Sequence, residues 1–369
     1  MSKWETVKLG EVCKKITDGS HNPPSGVEQS QYLMLSSKNV ENGRITLVEP
    51  RYLSKEDFIF ENKRTEIEAD DILLTIVGTI GRVALVPKEL KYLTLQRSVA
   101  VLKPEKKHII SKYLMYVLQS MEKGLNQEAR GVAQKGIYLS QVNKLEIPLP
   151  PLEEQKRIAD ILDKASKLID LRKQQLEKMD LLIKSKFVDI FGDTVTNPKG
   201  WEKCEWKKVF NTATGKLDSN AMNENGKYPF FTCSKEVHFI DTYAFDQEAL
   251  LLAGNNATAN YDVKYYSGKF NAYQRTYILT LKECNNQYCF FKFLLEQKLQ
   301  HLQQQSKGSN TKYLTMGILD KLDFILPPTF LQNQFAAFVE QVEKQKAVMQ
   351  QSLEKMEMNY KALMQEYFG

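Results

Sequence analysis

The sequence predicts an α/β (α+β) protein made of two copies of one unit, each a globular domain followed by a long helix. Three observations predict it. Pro150-Pro151 and Pro327-Pro328 stand 177 residues apart, and that offset then holds without a gap to the end of the chain. Behind each proline pair runs a stretch free of Pro and Gly, with apolar residues every seven positions. Ahead of each pair lie β-branched runs and turn signals in the same order. Long internal periods of this kind mark a duplicated architecture.

The first unit begins with Trp4-Glu5, which is matched by Trp201-Glu202 at an offset of 197. Ile72 to Val77 and Arg82 to Val86 read as strands separated by the turn or bulge signal Gly78-Thr79-Ile80-Gly81. Ser98 to Leu102 reads as another strand, and Ser111 as a cap for a helix carrying Tyr113, Leu114, Val117 and Leu118. The second unit repeats this order, with strands at Ala249 to Ala253, Val263 to Tyr266 and Thr276 to Leu281, then a helix around Tyr288 to Leu302. Leu73-Leu74 pairs with Leu251-Leu252, and Gln96-Arg97 with Gln274-Arg275, both at offset 178. The early halves of the units have therefore diverged in length, and the tails have not.

Each tail starts where a proline pair ends a strand-like segment, Leu145 to Leu149 or Leu322 to Leu326. At offset 177, Gln155 pairs with Gln332, Ala159 with Ala336, Leu176-Glu177-Lys178-Met179 with Leu353-Glu354-Lys355-Met356, and Phe191-Gly192 with Phe368-Gly369. Leu162, Ile169, Leu176, Ile183 and Ile190 form one seven-residue seam, and Phe335, Val342, Met349, Met356 and Leu363 the other. Such repeats mark coiled-coil helices, here each about 60 Å long at 1.5 Å per residue. Arg172 and Lys186 interrupt the flanks of the first seam, and Lys346 those of the second. The expected solution is an antiparallel intrachain coiled coil with pseudo-two-fold symmetry and a globular domain at each end, reached through the turn-rich linker Thr194 to Gly200. A stalk between separate chains is the alternative; two matched seams in one chain can satisfy each other. The expected domains are 1–150, 151–192, 193–326 and 327–369.

Composition narrows the function classes. The chain has 369 residues, 42% hydrophobic and 26% charged, a globular profile with a net charge of +6. Most of the positive excess falls in the globular units, which permits a polyanionic partner without requiring one. The longest apolar run is far too short to span a bilayer, and the first residues carry no apolar signal region, so a cytoplasmic protein with no membrane partner is expected. Five cysteines and four histidines are scattered without a CxxC or HxxxH pattern, so no metal site is expected.

Catalytic signals are weak. Asn22-Pro23-Pro24-Ser25 is similar to the NPP-aromatic signature of amino-methyltransferases, but Ser25 cannot stack a base. Gly78 to Gly81 lacks a third glycine and lies between two strands, so it is not a phosphate cradle. Binding signals are stronger. Unit one offers Ser20, His21 and Asn22, then Thr79 and Arg82, Gln96 and Arg97, and Arg130, Gln134 and Lys135. Unit two answers with Asn255 and Asn256, Gln274 and Arg275, and Lys307, Ser309, Asn310 and Lys312. Arginine reads guanine, Asn and Gln read adenine, and Lys and glycine amides hold phosphates. Gln96-Arg97 and Gln274-Arg275 have an equal structural alternative, with each arginine tied to an acidic neighbour.

The layout and several motifs resemble the specificity (S) subunit of type I restriction-modification systems. The matching pieces are Trp4-Glu5-x-Val7-x-Leu9-Gly10-Glu11, Asp18-Gly19-Ser20-His21, Gln134-Lys135-Gly136-Ile137, and Ile147-Pro148-Leu149-Pro150-Pro151-Leu152-Glu153-Glu154-Gln155 with the helix after it. The second copy departs, with Thr329-Phe330-Leu331-Gln332-Asn333-Gln334 in place of the Leu-Glu-Glu-Gln run and Asn310-Thr311-Lys312-Tyr313 in place of Gln134-Lys135-Gly136. The resemblance implies a non-catalytic subunit whose two target recognition domains each read half of a bipartite, asymmetric site on double-stranded DNA. It implies two modification subunits docked on the helices and holding S-adenosylmethionine, a restriction motor subunit joining for cleavage, and no cofactor on this chain. The expected helical pair agrees with this and predicts a ruler: four residues added to each helix would lengthen the unread spacer by about 2 base pairs. A stand-alone methyltransferase and a coiled-coil adaptor that never touches DNA are the competing classes.

Overall fold

The computed structural model describes residues 4–128, 136–283, 285 and 287–369. The chain forms two compact units. Unit one holds residues 1–173 and 351–369, and unit two holds 174–350. Both long helices, Leu152–Phe191 and Thr329–Phe368, contribute to both units and are 40 residues each.

Unit one is built on a four-stranded antiparallel sheet in the order Cys13–Asp18, Val99–Pro104, Ile72–Thr75, Val83–Leu85. The apolar run at Ile72 forms a strand because both its faces are covered. Side chains alternate across a strand, so Ile72 and Leu74 join the core that includes Leu102, Leu114 and Leu118, while Leu73 joins Leu35, Leu95 and Val101 on the other side. A second sheet holds Arg51–Leu53, Tyr32–Leu35 and Leu93–Leu95, the last two running parallel. The turn at 78–81 carries two glycines with positive φ, which lets the chain reverse between the two strands. Ser111 is the first residue of its helix, Ser111–Ser120, rather than its cap; Ile110 holds the cap position without a side-chain bond.

Unit two repeats this scheme. Phe210–Thr214, Thr276–Leu281, Phe245–Ala253 and Val263–Ala272 stand in the same order, followed by Tyr228–Phe231 and His238–Ile240. Here the two sheets of unit one are fused, because Val263–Ala272 is long enough to pair with Phe245–Ala253 along one stretch and with Tyr228–Phe231 along another. In each unit a two-stranded ribbon closes the domain below the long helix: Thr6–Lys8 with Glu146–Pro148, and Glu202–Glu205 with Asp323–Leu326.

The start of each long helix is fixed by a fully buried glutamine. Gln155 Oε1 accepts from the Ile110 amide at 2.8 Å, and its Nε2 donates to the carbonyls of Pro150 at 2.8 Å and His108 at 3.0 Å. Gln332 does the same work in unit two, accepting from the Gln287 amide at 3.1 Å and donating to the Pro327 carbonyl at 3.0 Å. Each clamp ties the globular part to the helix that leaves it, and satisfies main-chain groups that burial would otherwise orphan.

The helices run antiparallel within each unit. In unit one the Arg157 guanidinium lies 5.9 Å from the Tyr367 ring and Lys173 pairs with Glu357 at 2.8 Å. In unit two Phe187 packs edge-on to Phe335 at 5.4 Å, and Lys346 pairs with Asp180 at 2.6 Å. Leu162, Ile169, Ile183, Ile190, Phe335 and Val342 are buried, and Leu176, Met349, Met356 and Leu363 half-buried, so none of the ten seam residues faces water fully. Lys346 is tolerated beside the seam because Asp180 and Glu343 share its charge.

Candidate nucleic-acid interface

In unit one, the end of strand Cys13–Asp18 crosses the turn that precedes Val99–Pro104. The Ser20 amide donates to the Leu95 carbonyl at 2.7 Å and the Arg97 amide to the Ser20 carbonyl at 2.9 Å. Gly19 makes this crossing possible: a Cβ there would lie 2.0 Å from the Leu95 carbonyl oxygen. The crossing brings Ser20 beside Gln96 and sets His21 and Arg97 on one cleft of about 550 Å³, together with Asp18, Arg64, Val77 and Tyr138. The Ile137 amide donates to the Ile76 carbonyl at 2.9 Å, which closes one wall.

Charge in this cleft is organised around Asp18. Its carboxylate is buried at the strand end and meets His21 Nε2 at 2.9 Å and the Arg64 guanidinium, whose Nε also donates to the Asp18 carbonyl at 3.0 Å. Arg97 is exposed and has no ion pair among the described residues, so the acidic tether that would have made it structural is not there. Asn22 is exposed at the same loop. The structure does not gather the turn residues into this cleft. Thr79 is exposed at the turn, and Arg82 lines a separate depression of about 140 Å³ with Glu41 at 3.9 Å and Glu122 nearby. Arg130, Gln134 and Lys135 lie outside the described residues.

Unit two builds its rim by the same crossing. The Gln274 amide donates to the Leu217 carbonyl at 2.9 Å, as that of Arg97 does to Ser20, and a Cβ on Gly215 would lie 1.9 Å from the Ala272 carbonyl oxygen. The Gly254 amide donates to the Arg275 carbonyl at 2.8 Å, and Asn255-Asn256 pairs antiparallel with Lys312-Tyr313. Asn255, Asn256, Gln274, Arg275, Lys307 and Lys312 thus meet through one continuous set of main-chain bonds, because Lys307 and Tyr313 bond each other at 3.1 and 2.9 Å. Asn256 Oδ1 is taken by the Thr258 amide and hydroxyl, at 2.9 and 2.8 Å. Ser309 and Asn310 are exposed at the tip between Lys307 and Lys312. Arg275 is exposed and without an ion pair among the described residues, while Gln274 Nε2 reaches Asp218 at 3.4 Å. Burial pushes the hydroxyl pKa of neighbouring Tyr277 up, against the pull of Arg275, and that hydroxyl donates to the Leu314 carbonyl at 3.0 Å.

Two residues escaped the sequence reading: Arg64, and the part played by Asp18. They are 46 positions apart, and no local spacing links them. The only legible hint was the helix itself, Lys55–Thr65, whose cap Ser54 accepts from the Asp57 amide at 3.0 Å. Among the described residues no group of three or more His, Cys, Asp or Glu could hold a metal ion, and no helix is long and apolar enough to cross a membrane.

Comparison with known proteins places this geometry in a family. The model of the type I restriction modification DNA specificity domain matches residues 1–180 and again 198–358. The EcoDI type I restriction enzyme specificity subunit of Escherichia coli is 35% identical over 158 residues, 42% of this chain and 34% of that subunit. The chain thus aligns with only about a third of its length, whereas the MjaIX specificity subunit of Methanocaldococcus jannaschii is 25% identical across 92% of this chain and 90% of that one. The crystal structure of a type I restriction-modification S subunit from M. genitalium superposes with a TM-score of 0.66 at 15% identity, over 100% of this chain and 96% of that one, which shows a shared fold. With both of its units matched by the family model, the chain belongs to the type I restriction-modification DNA specificity family.

Proposed function

We propose that this chain reads a two-part sequence on double-stranded DNA and positions methyltransferase subunits on it. One observation carries the reading: the same backbone crossing, with a glycine forced by close approach, occurs in both units and has an exposed arginine without an ion pair among the described residues beside it each time. Arg97 stands at the crossing itself and Arg275 one residue past Gln274, its equivalent in unit two, so the match of Gln96-Arg97 with Gln274-Arg275 is one residue out of structural register. A guanidinium without an internal partner is free for guanine or phosphate. The crossing is shared while the side chains around it differ, so the two half-sites differ in sequence. The buried seam and the glutamine clamps support a scaffold role for the helices. Two modification subunits would dock there, S-adenosylmethionine and the transfer chemistry would reside on them, and a restriction motor subunit would join for cleavage. The chain itself would be non-catalytic, working in the cytoplasm.

The test is methylome sequencing of DNA from cells expressing the chain with its modification partner, alongside a shift assay of the assembled complex across salt. A bipartite methylated motif and an affinity falling steeply with salt are expected, since phosphate contacts release counterions. Methyl-donor binding by the chain alone would instead mark a stand-alone methyltransferase. A complex that forms but never retards DNA would mark a protein-organising adaptor.

A further inference from the structure

Unit one contains a device that unit two lacks. Asp18 pairs with Ala100 across the sheet, and Thr214 pairs with Tyr277 in the corresponding register, so a threonine stands where unit one has the buried carboxylate. Arg64 comes from the last turn of Lys55–Thr65. Unit two has no helix at that point: only residues 241–244 separate His238–Ile240 from Phe245–Ala253. Both partners of the Asp18–Arg64 pair therefore belong to unit one alone.

We propose that Arg64, held by Asp18, reads a guanine in the half-site of unit one. This rests on the DNA reading above and names the base chemistry of that cleft. The Asp18 carboxylate and main-chain carbonyl grip the Nε and Nη2 side of the guanidinium. The Nη1 group and the second Nη2 proton remain available, and they form the fork that suits the O6 and N7 acceptors of guanine in the major groove. The guanidinium is half exposed on the same cleft as Arg97 and His21. The carboxylate also removes the rotamer freedom that a long side chain would otherwise lose on binding. It further decides between base and phosphate. A guanidinium that already shares its charge with a buried carboxylate is a poor phosphate anchor, because the carboxylate repels the anion. It remains a good donor to a neutral base. Arg97, with no carboxylate partner among the described residues, is the one suited to phosphate. His21 has Nε2 committed to Asp18, which leaves Nδ1 for a neighbouring base edge.

The experiment compares the complexes of wild type, Arg64→Ala and Asp18→Asn on a library in which both half-sites are varied, across a salt series, together with the methylated motif in cells. Arg64→Ala is expected to lower discrimination at one guanine position of one half-site by roughly tenfold or more, with the salt slope unchanged. Asp18→Asn is expected to relax the same position although Arg64 is still present. Wild-type discrimination at the remaining positions of the same half-site shows that unit one folds in the variants. A uniform loss of affinity with a salt slope shallower by about 1 would make Arg64 a phosphate contact, and an unchanged motif in both variants would make the pair structural; either overturns the proposal. A wild-type complex without any two-part motif would overturn the underlying DNA reading instead.

Discussion

Gln155→Met is the sharpest test of how the globular domain is joined to its helix. Methionine is close to glutamine in length and volume, so packing is preserved and only the polar bonds are lost. Three hydrogen bonds vanish, to the Ile110 amide and to the Pro150 and His108 carbonyls. At about 1 kcal/mol for a typical neutral bond, and more where a buried group is left unsatisfied, the loss is about 3–5 kcal/mol. For a unit of this size each kcal/mol moves the melting temperature by about 2–4 °C, so a fall of about 6–20 °C is expected for unit one. Hydrogen exchange read by mass spectrometry assigns the loss, with faster exchange in 105–120 and 148–160 and none in 200–326. Gln332→Met should produce the reciprocal pattern, because its bonds are to Gln287 and Pro327. A melting temperature within 1 °C of wild type for Gln155→Met, with unchanged exchange, would refute the claim that the glutamine fastens domain to helix.

Further perturbations separate the rim from the scaffold. Arg275→Ala should weaken binding to the unit-two half-site about tenfold or more and leave the other half-site unchanged; equal affinity and salt slope in a shift assay would make Arg275 structural. Gly19→Ala puts a Cβ 2.0 Å from the Leu95 oxygen, so it should cost about 1–3 kcal/mol in a denaturant melt and weaken the unit-one half-site; a neutral variant would deny the close approach. Lys346→Met should change stability by less than about 1 kcal/mol, since Asp180 and Glu343 are both about half exposed and stay solvated when the lysine leaves; a loss above about 2 kcal/mol would show the ion pair to be structural. Burial, with Asp71 adding to it, pushes the Cys13 thiol up to about 12, and burial pushes Cys289 up to about 11. At pH 8, iodoacetamide should label Cys13 about a thousandfold more slowly than a free thiol, and rapid labelling in the native protein would contradict that burial.

The repeat was legible because its evidence is arithmetic. A gap-free offset over the tails requires both copies to keep the same helix phase, and the seam residues fell where the period put them. The strand Thr276–Leu281 has the bounds read from its β-branched run. The strand expected at Val263 to Tyr266 runs on to Ala272, because pairing with Phe245 to Leu252 extends it beyond its local β-branched signal. Likewise, Gln155 and Gln332 were visible as a matched pair, but their role is set by main-chain groups 45 residues away. The site was legible as segments and not as geometry. The Asp18 loop and Gln96-Arg97 meet through backbone bonds, whereas Arg82 turns to Glu41 of the small hairpin Val40–Glu41 with Arg44–Ile45, a partner that no spacing announces.

Comparing the two units shows where change is physically cheap. The crossing glycines, the closing ribbons and the glutamine clamps recur in both, and each is a place where a substitution collides with backbone or strands a buried polar group. What differs is the rim: unit one has the helix Lys55–Thr65 and the small hairpin Val40–Glu41 with Arg44–Ile45, and unit two has neither. Rim side chains such as Arg97, Arg275, Lys307 and Asn310 are exposed, and exposed substitutions usually move stability by no more than about 0.5 kcal/mol. A protein of marginal stability can therefore exchange its rim freely and its clamps hardly at all. Under the proposed function, different bases can be read on one scaffold for that reason. Asp18 is the exception on the rim, a buried carboxylate whose loss would leave the Arg64 guanidinium and the His21 ring unheld, and this ties the cleft of unit one to its architecture more tightly than any residue of the rim in unit two.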